Sequence, residues 1–160
     1  MEKSNLFVFA RIVHIIGVVL WIGGVAFVTT VLIPSIRKLK DSNKRLELFE
    51  ELEGNFAIQA RIVTFITGLS GLYMIITLNA WNRYLNLSFW WMHLMTFVWL
   101  IFTLVLFVLE PLFLHKWFHE RASINSDKAF KFAQVLHIVL LSLSILAIFG
   151  AMAGTHGFIY

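Results

Sequence analysis

Four long apolar stretches, at about 6–33, 58–78, 87–114 and 129–154, decide what this chain can become. Each meets the length of roughly 20 residues that a helix needs to cross the hydrocarbon of a bilayer. Strands are a poor alternative, because an unpaired backbone group in lipid costs several kcal/mol and no ten-residue pieces alternate as barrel strands would. Composition agrees, with 59% hydrophobic residues, 14% charged residues and a mean hydropathy of +0.82. A soluble domain carries about 25% charged residues, so this chain has too few to wet a globular surface. The expected fold is therefore all-α: an integral-membrane, up-down-up-down four-helix bundle forming a single transmembrane domain over residues 1–160. Its first partner is the lipid bilayer, nucleic acid is not expected as a partner, and assembly into a homo-oligomer fits such a bundle. The expected location is a multi-pass protein of a bacterial or archaeal cytoplasmic membrane. Zero Cys excludes disulfides, cysteine-held clusters and covalent CxxCH haem attachment.

The first apolar stretch far exceeds the roughly 7–15 residues of a signal-peptide core, and no small-x-small cleavage site follows it, so it reads as a retained span. Pro34 and Pro111 fall near the ends of the first and third spans, where they can end or bend a helix at little cost. The loop after the first span carries Arg37, Lys38, Lys40, Lys44 and Arg45, and the loop after the third carries Lys116, Arg121, Lys128 and Lys131. The opposite side has only Lys3, Arg11 and Arg83. The positive-inside rule then puts the two long loops in the cytoplasm and both termini outside. Within the first of these loops, residues 41–54 pattern as an amphipathic connector lying on the membrane surface, with Leu46, Phe49 and Leu52 against the interface.

Ionisable and amide groups inside spans are expensive in lipid, so they face the bundle interior and mark sites. Here they are Arg11, His14, His93, Glu110, Gln134 and His137. At 1.5 Å per residue, His14 lies roughly 12 Å and His93 roughly 9 Å below the outer boundary. The first and third helices of such a bundle run parallel and sit diagonally. Two imidazoles at matched depth can hold the iron of a flat macrocycle between them. At 100° per residue, Gly17 and Trp21 share the face of His14, and Trp90 shares that of His93, giving a small residue and two flat ones for a ring to pack on. Arg11, one turn outward of His14, can pair with a propionate. His137 lies roughly 12 Å from the inner boundary on the fourth span, too deep to share that level. It is a third candidate ligand, for a second haem, a proton relay or a quinone hydrogen bond. Glu110 is expected to pair with Arg61, Lys116 or another base of the inner rim. For each of these residues the plainer alternative is a satisfied interior group or a helix-packing contact.

The stretch Ala10-Arg-Ile-Val-His14-Ile-Ile-Gly-Val-Val-Leu-Trp21-Ile-Gly-Gly24 resembles the first helix of the copper-resistance-protein-D membrane domain and of the HemJ-type protoporphyrinogen oxidases. The basic segment after Pro34, Gly68-Leu-Ser-Gly71, and Phe89-Trp-Trp-Met-His93 extend the resemblance over most of the chain in layout. The HemJ type implies haem b held at His14 and oxidation of a porphyrinogen. The copper-resistance type implies copper passage. Where HemJ-type members carry a lysine early in the third helix, His93 stands here, which points to a bis-histidine cytochrome instead.

The expectation is thus a membrane b-type cytochrome that transfers electrons, with quinol or a redox partner protein as its exchange partner. One haem b would be held by the metal ligands His14 and His93, with His137 able to serve a second. Arg11, Gly17, Trp21 and Trp90 would complete the pocket. The alternatives are a HemJ-like porphyrinogen oxidase and a protein handling copper.

Overall fold

A computed structural model describes residues 2–158, and every regular element among them is helical. Helix α1 (Glu2–Phe27) continues through a π-helical turn at Val28–Leu32 into the short α2 (Ile33–Arg37). The wide turn immediately precedes Pro34, which has no N–H to give back to the preceding turn. Ile33 donates to the carbonyl of Val28, five residues back. The hydroxyls of Thr29 and Thr30 donate to Val25 and Ala26, at 2.6 and 2.8 Å.

Helix α3 (Ser42–Thr77) begins at Asp41, whose carboxylate accepts from the N–H groups of Asn43 and Lys44 at 2.9 and 3.3 Å. This is the side-chain cap that relieves the unpaired amides of a first turn. Its 36 residues make a rod of about 54 Å, much longer than hydrocarbon of about 30 Å. Residues 42–54 are therefore a continuation of the helix of the second span, capped by Asp41, and not a separate connector on the membrane surface. Phe49, expected to touch the interface, is instead buried against Phe118 and Phe130, with ring centroids 5.0 and 5.1 Å apart.

After α3, Asn79 adopts the left-handed conformation (φ 48°), and tight turns at Ala80–Leu85 and Leu87–Phe89 lead into α4 (Trp90–Leu104). A second π-helical stretch, Val105–Leu114, contains Pro111 and runs on into α5 (His115–Thr155). The reversal of direction lies inside α5, at Asn125, whose backbone is extended (φ −152°, ψ 88°). The rings of Phe118 and Phe130 lie 5.3 Å apart, whereas twelve residues of straight helix would separate them by about 18 Å. Asn125 Oδ1 then accepts from Lys128 N at 3.0 Å and caps the returning arm. The third and fourth spans thus project past the membrane as a hairpin that packs on the inner end of α3.

The helices spanning Ser4–Arg37, Ser42–Thr77, Leu87–Leu114 and Lys116–Thr155 are each long and apolar enough to cross a membrane. The chain is an all-α four-helix bundle and a multi-pass membrane protein. α1 packs along α3, and α4 along α5, so α1 and α4 face each other diagonally. The interior holds Trp21, Val25, Val98, Phe102 and Leu140, with a second cluster around Ile33, Ile36, Phe49 and Phe130 at the inner end.

Candidate functional site

A cavity of about 1080 Å³ opens between the helices toward the side that carries few basic residues. That volume lies just above the usual range for ligand and cofactor sites, roughly 300–1,000 Å³. Its walls are mainly apolar and aromatic, with Phe7 and Trp21 from α1, Phe65 from α3, and Trp91 and Trp99 from α4. The turn after α3 adds Trp81, Arg83 and Tyr84 over the mouth. The Tyr84 hydroxyl lies 2.8 Å from Thr96 Oγ1, which fixes this turn to α4.

His14 lines the cavity. Its Nδ1 donates to the carbonyl of Thr67 at 3.0 Å, with Ser70 Oγ at 3.3 Å. A backbone carbonyl only accepts, so Nδ1 carries a proton, and in the neutral ring Nε2 then keeps its lone pair. Nε2 has no hydrogen-bond partner among the described residues. Gly71 makes the close approach to α3 workable: a Cβ there would come within 3.1 Å of His14 Cε1. The ring is held by its neighbouring helix, with one nitrogen tied and the other available.

Arg11 and Arg83 both line the mouth. Their guanidinium groups lie over the rings of Phe7 and Phe89, at 5.0 and 5.4 Å, and neither has an ion-pair partner among the described residues. Trp21 lines the cavity too, 4% exposed, its ring edge-on to Phe102 at 4.9 Å and 88°.

Several expected site residues lie elsewhere. Gly17 is not cavity space, because a Cβ there would collide with Thr67 Oγ1; it lets α1 approach α3. Trp90 lies against Gly150, while its neighbour Trp91 lines the cavity in its place. His93 does not line the cavity. Its Nε2 lies 2.9 Å from the carbonyl of Tyr84 and its Nδ1 3.3 Å from that of Phe89, with the ring edge-on to Tyr84. His14 and His93 are therefore not brought together, although they lie at similar depth. His137 is also outside the cavity, with Nδ1 2.8 Å from the carbonyl of Ala133. One turn away, Gln134 accepts from Arg37 Nη1 at 2.5 Å. Glu110 pairs with Arg61, the first of its expected partners.

No family model, curated protein or solved structure matches this chain. The site must be read from its geometry.

Sequence reasoning passed over Tyr84 and Trp99, counted Arg83 only as a loop charge, and weighed Met92 and Met95 beside His93 as copper donors but read them as packing residues; all five line the cavity. Trp99 lies flat against Gly68, and its indole N–H donates to the carbonyl of Thr64 at 3.0 Å. Asn79 was a signal, since a left-handed residue at a helix end folds the next segment back over the bundle. Among the described residues no three His, Asp or Glu side chains converge as a metal site, so any metal held here depends on one imidazole together with softer donors or a macrocycle.

Proposed function

We propose that this cavity binds haem b through His14 Nε2 and that the protein is a membrane b-type cytochrome. One observation carries the reading: a neutral imidazole, tied through Nδ1–H to the Thr67 carbonyl, keeps a free lone pair at the wall of a large apolar cavity. Metal-ligating histidines are typically anchored in this way through the other ring nitrogen. The remaining residues fit the same group. Apolar and aromatic walls suit a flat macrocycle, and Arg11 and Arg83 offer two cations at the mouth for its two carboxylates.

Haem, when bound, supplies one-electron chemistry. The chain's own work is to hold and to insulate. Thr67 and Ser70 fix the tautomer and plane of His14, Arg11 and Arg83 anchor carboxylates where the bundle meets water, and the aromatic walls exclude solvent. The opening toward the outer side suits exchange of electrons with quinol in the membrane or with a redox protein outside it.

The test is spectroscopic. Full-length protein expressed with ample haem and purified in detergent should be red, with a reduced-minus-oxidised visible spectrum that His14→Ala abolishes. Colourless wild-type protein would overturn the reading. A second reading rests on Met92 and Met95, which line the same cavity as His14. Two thioethers and an imidazole suit copper(I). Stoichiometric copper(I) binding by haem-free protein, lost on His14→Ala, would favour it.

A further inference from the structure

Resting on the haem reading above, we infer that the second axial ligand is the thioether of Met95, and not an imidazole of the third span. Two independent geometric relations lead there, one of rotation about α4 and one of level along it.

The α4 residues that line the cavity include Trp91, Met92, Met95, Thr96, Val98 and Trp99. At 100° per residue they form a stripe whose middle lies within about 30° of Met95. His93 is two residues away, which turns it about 160° to the opposite side of the helix. Its ring is correspondingly engaged with the carbonyls of Tyr84 and Phe89. Turning His93 into the cavity would take rotation of the whole helix and would carry Trp91 and Trp99 out of it.

Level follows from contacts to α3. His14 meets Gly71, and Trp99 meets Gly68. Since α4 runs antiparallel to α3, three residues outward from Gly68 reaches Gly71, and three residues outward from Trp99 reaches Thr96. Met95 therefore lies within about one helical turn of the level of His14. Met92 shares the stripe but stands about 60° off Met95 and a further turn outward. The diagonal placement of α1 and α4 sets His14 and Met95 on opposing walls of one cavity. A thioether opposite an imidazole is an established iron pair, and it raises the reduction potential above that of two imidazoles.

The experiment uses full-length haem-loaded protein in detergent. Wild-type ferric protein should be low-spin with the weak long-wavelength absorption of a sulfur-to-iron transition. Met95→Leu should retain haem but become high-spin and bind carbon monoxide when reduced. Met95→His should restore a low-spin spectrum without the sulfur band and lower the reduction potential, which also covers the case in which Met95→Leu fails to fold. His93→Ala, at a residue outside the cavity, should leave spin state and sulfur band unchanged. A high-spin shift in His93→Ala or Met92→Leu, or a wild-type protein that lacks the sulfur band, overturns Met95 while leaving haem binding standing. Absence of haem from wild-type protein sinks both readings together.

Discussion

Arg61 Nε donates to the carbonyl of Leu106 at 2.8 Å, and Leu106 lies five residues before Pro111 in a π-helical stretch. In that geometry the amide of residue 111 would take the carbonyl of residue 106, and proline has none to give. The guanidinium on α3 therefore supplies the hydrogen bond that Pro111 removes. Its other end pairs with Glu110, which would otherwise be a carboxylate without a counter-charge in a mostly apolar wall. One side chain satisfies two groups that the Glu-Pro pair creates.

Arg61→Met should accordingly destabilise the bundle by about 2–4 kcal/mol, since it strands a carbonyl and a charge together. Glu110→Gln should cost less, because the Leu106 contact survives. Adding Glu110→Gln to Arg61→Met should recover part of the loss. Thermal unfolding of the purified variants in detergent checks the order, and equal midpoints for all of them would contradict it.

The glycines divide into two groups with opposite expectations. Gly17 faces Thr67 so closely that an added Cβ collides, whereas Gly23 and Gly54 have nothing within 4 Å of that position. Gly17→Ala should destabilise by about 1–3 kcal/mol through overpacking. Gly23→Ala and Gly54→Ala should stabilise by roughly 0.5–1 kcal/mol, as alanine replaces glycine inside a helix. Unfolding midpoints measured side by side check this order, and a Gly17→Ala midpoint at or above wild type would contradict it.

How much of this was readable beforehand follows from what a linear pattern records. Apolar length marks all four spans. An ionisable residue in lipid must find a partner, which makes His14 and the Glu110–Arg61 pair legible. Depth along a helix is also legible, which is why His14 and His93 seemed to meet. Rotation about the helix is not, until a second contact fixes it: the tight turns at Ala80–Leu85 and Leu87–Phe89 set Tyr84 beside His93 and turn Trp91, Met92 and Met95 inward. The same limit explains the exchange of Trp90 for Trp91. Residues 41–54 were misplaced for a different reason. Phe49 of their apolar face packs on Phe118 and Phe130, whose return depends on one extended residue, Asn125.

Phe130 is fully buried where the α5 hairpin meets α3, and Phe49 and Phe118 both lie within about 5 Å of its ring. Phe130→Ala should cost about 3–5 kcal/mol, the usual range for an aromatic removed from a packed core. Because this cluster lies at the inner, projecting end, the loss should open the segments around 41–57 and 115–130 before the spans separate. Limited proteolysis in detergent micelles should then cut Phe130→Ala in those segments while wild-type protein resists. Cleavage confined to the turn at 79–89 would contradict the packing described.

Arg11 and Arg83 provide a graded test of the cavity mouth. Both are exposed, so each pairing with a carboxylate should contribute only about 0.2–1 kcal/mol. Arg11→Gln or Arg83→Gln alone should speed haem loss to an acceptor protein by no more than a few-fold, and the effects should multiply in the double variant. Higher ionic strength should reduce the difference between wild-type protein and the double variant, because exposed charges are screened within about 8–10 Å at 0.1–0.15 M salt. On the proposed haem reading, His14→Ala should remove haem altogether at any salt, since a ligand bond and not a screened charge would be lost. If the double arginine variant transfers haem at the wild-type rate in low salt, the carboxylates do not lie at this mouth, and the macrocycle would have to enter in another orientation.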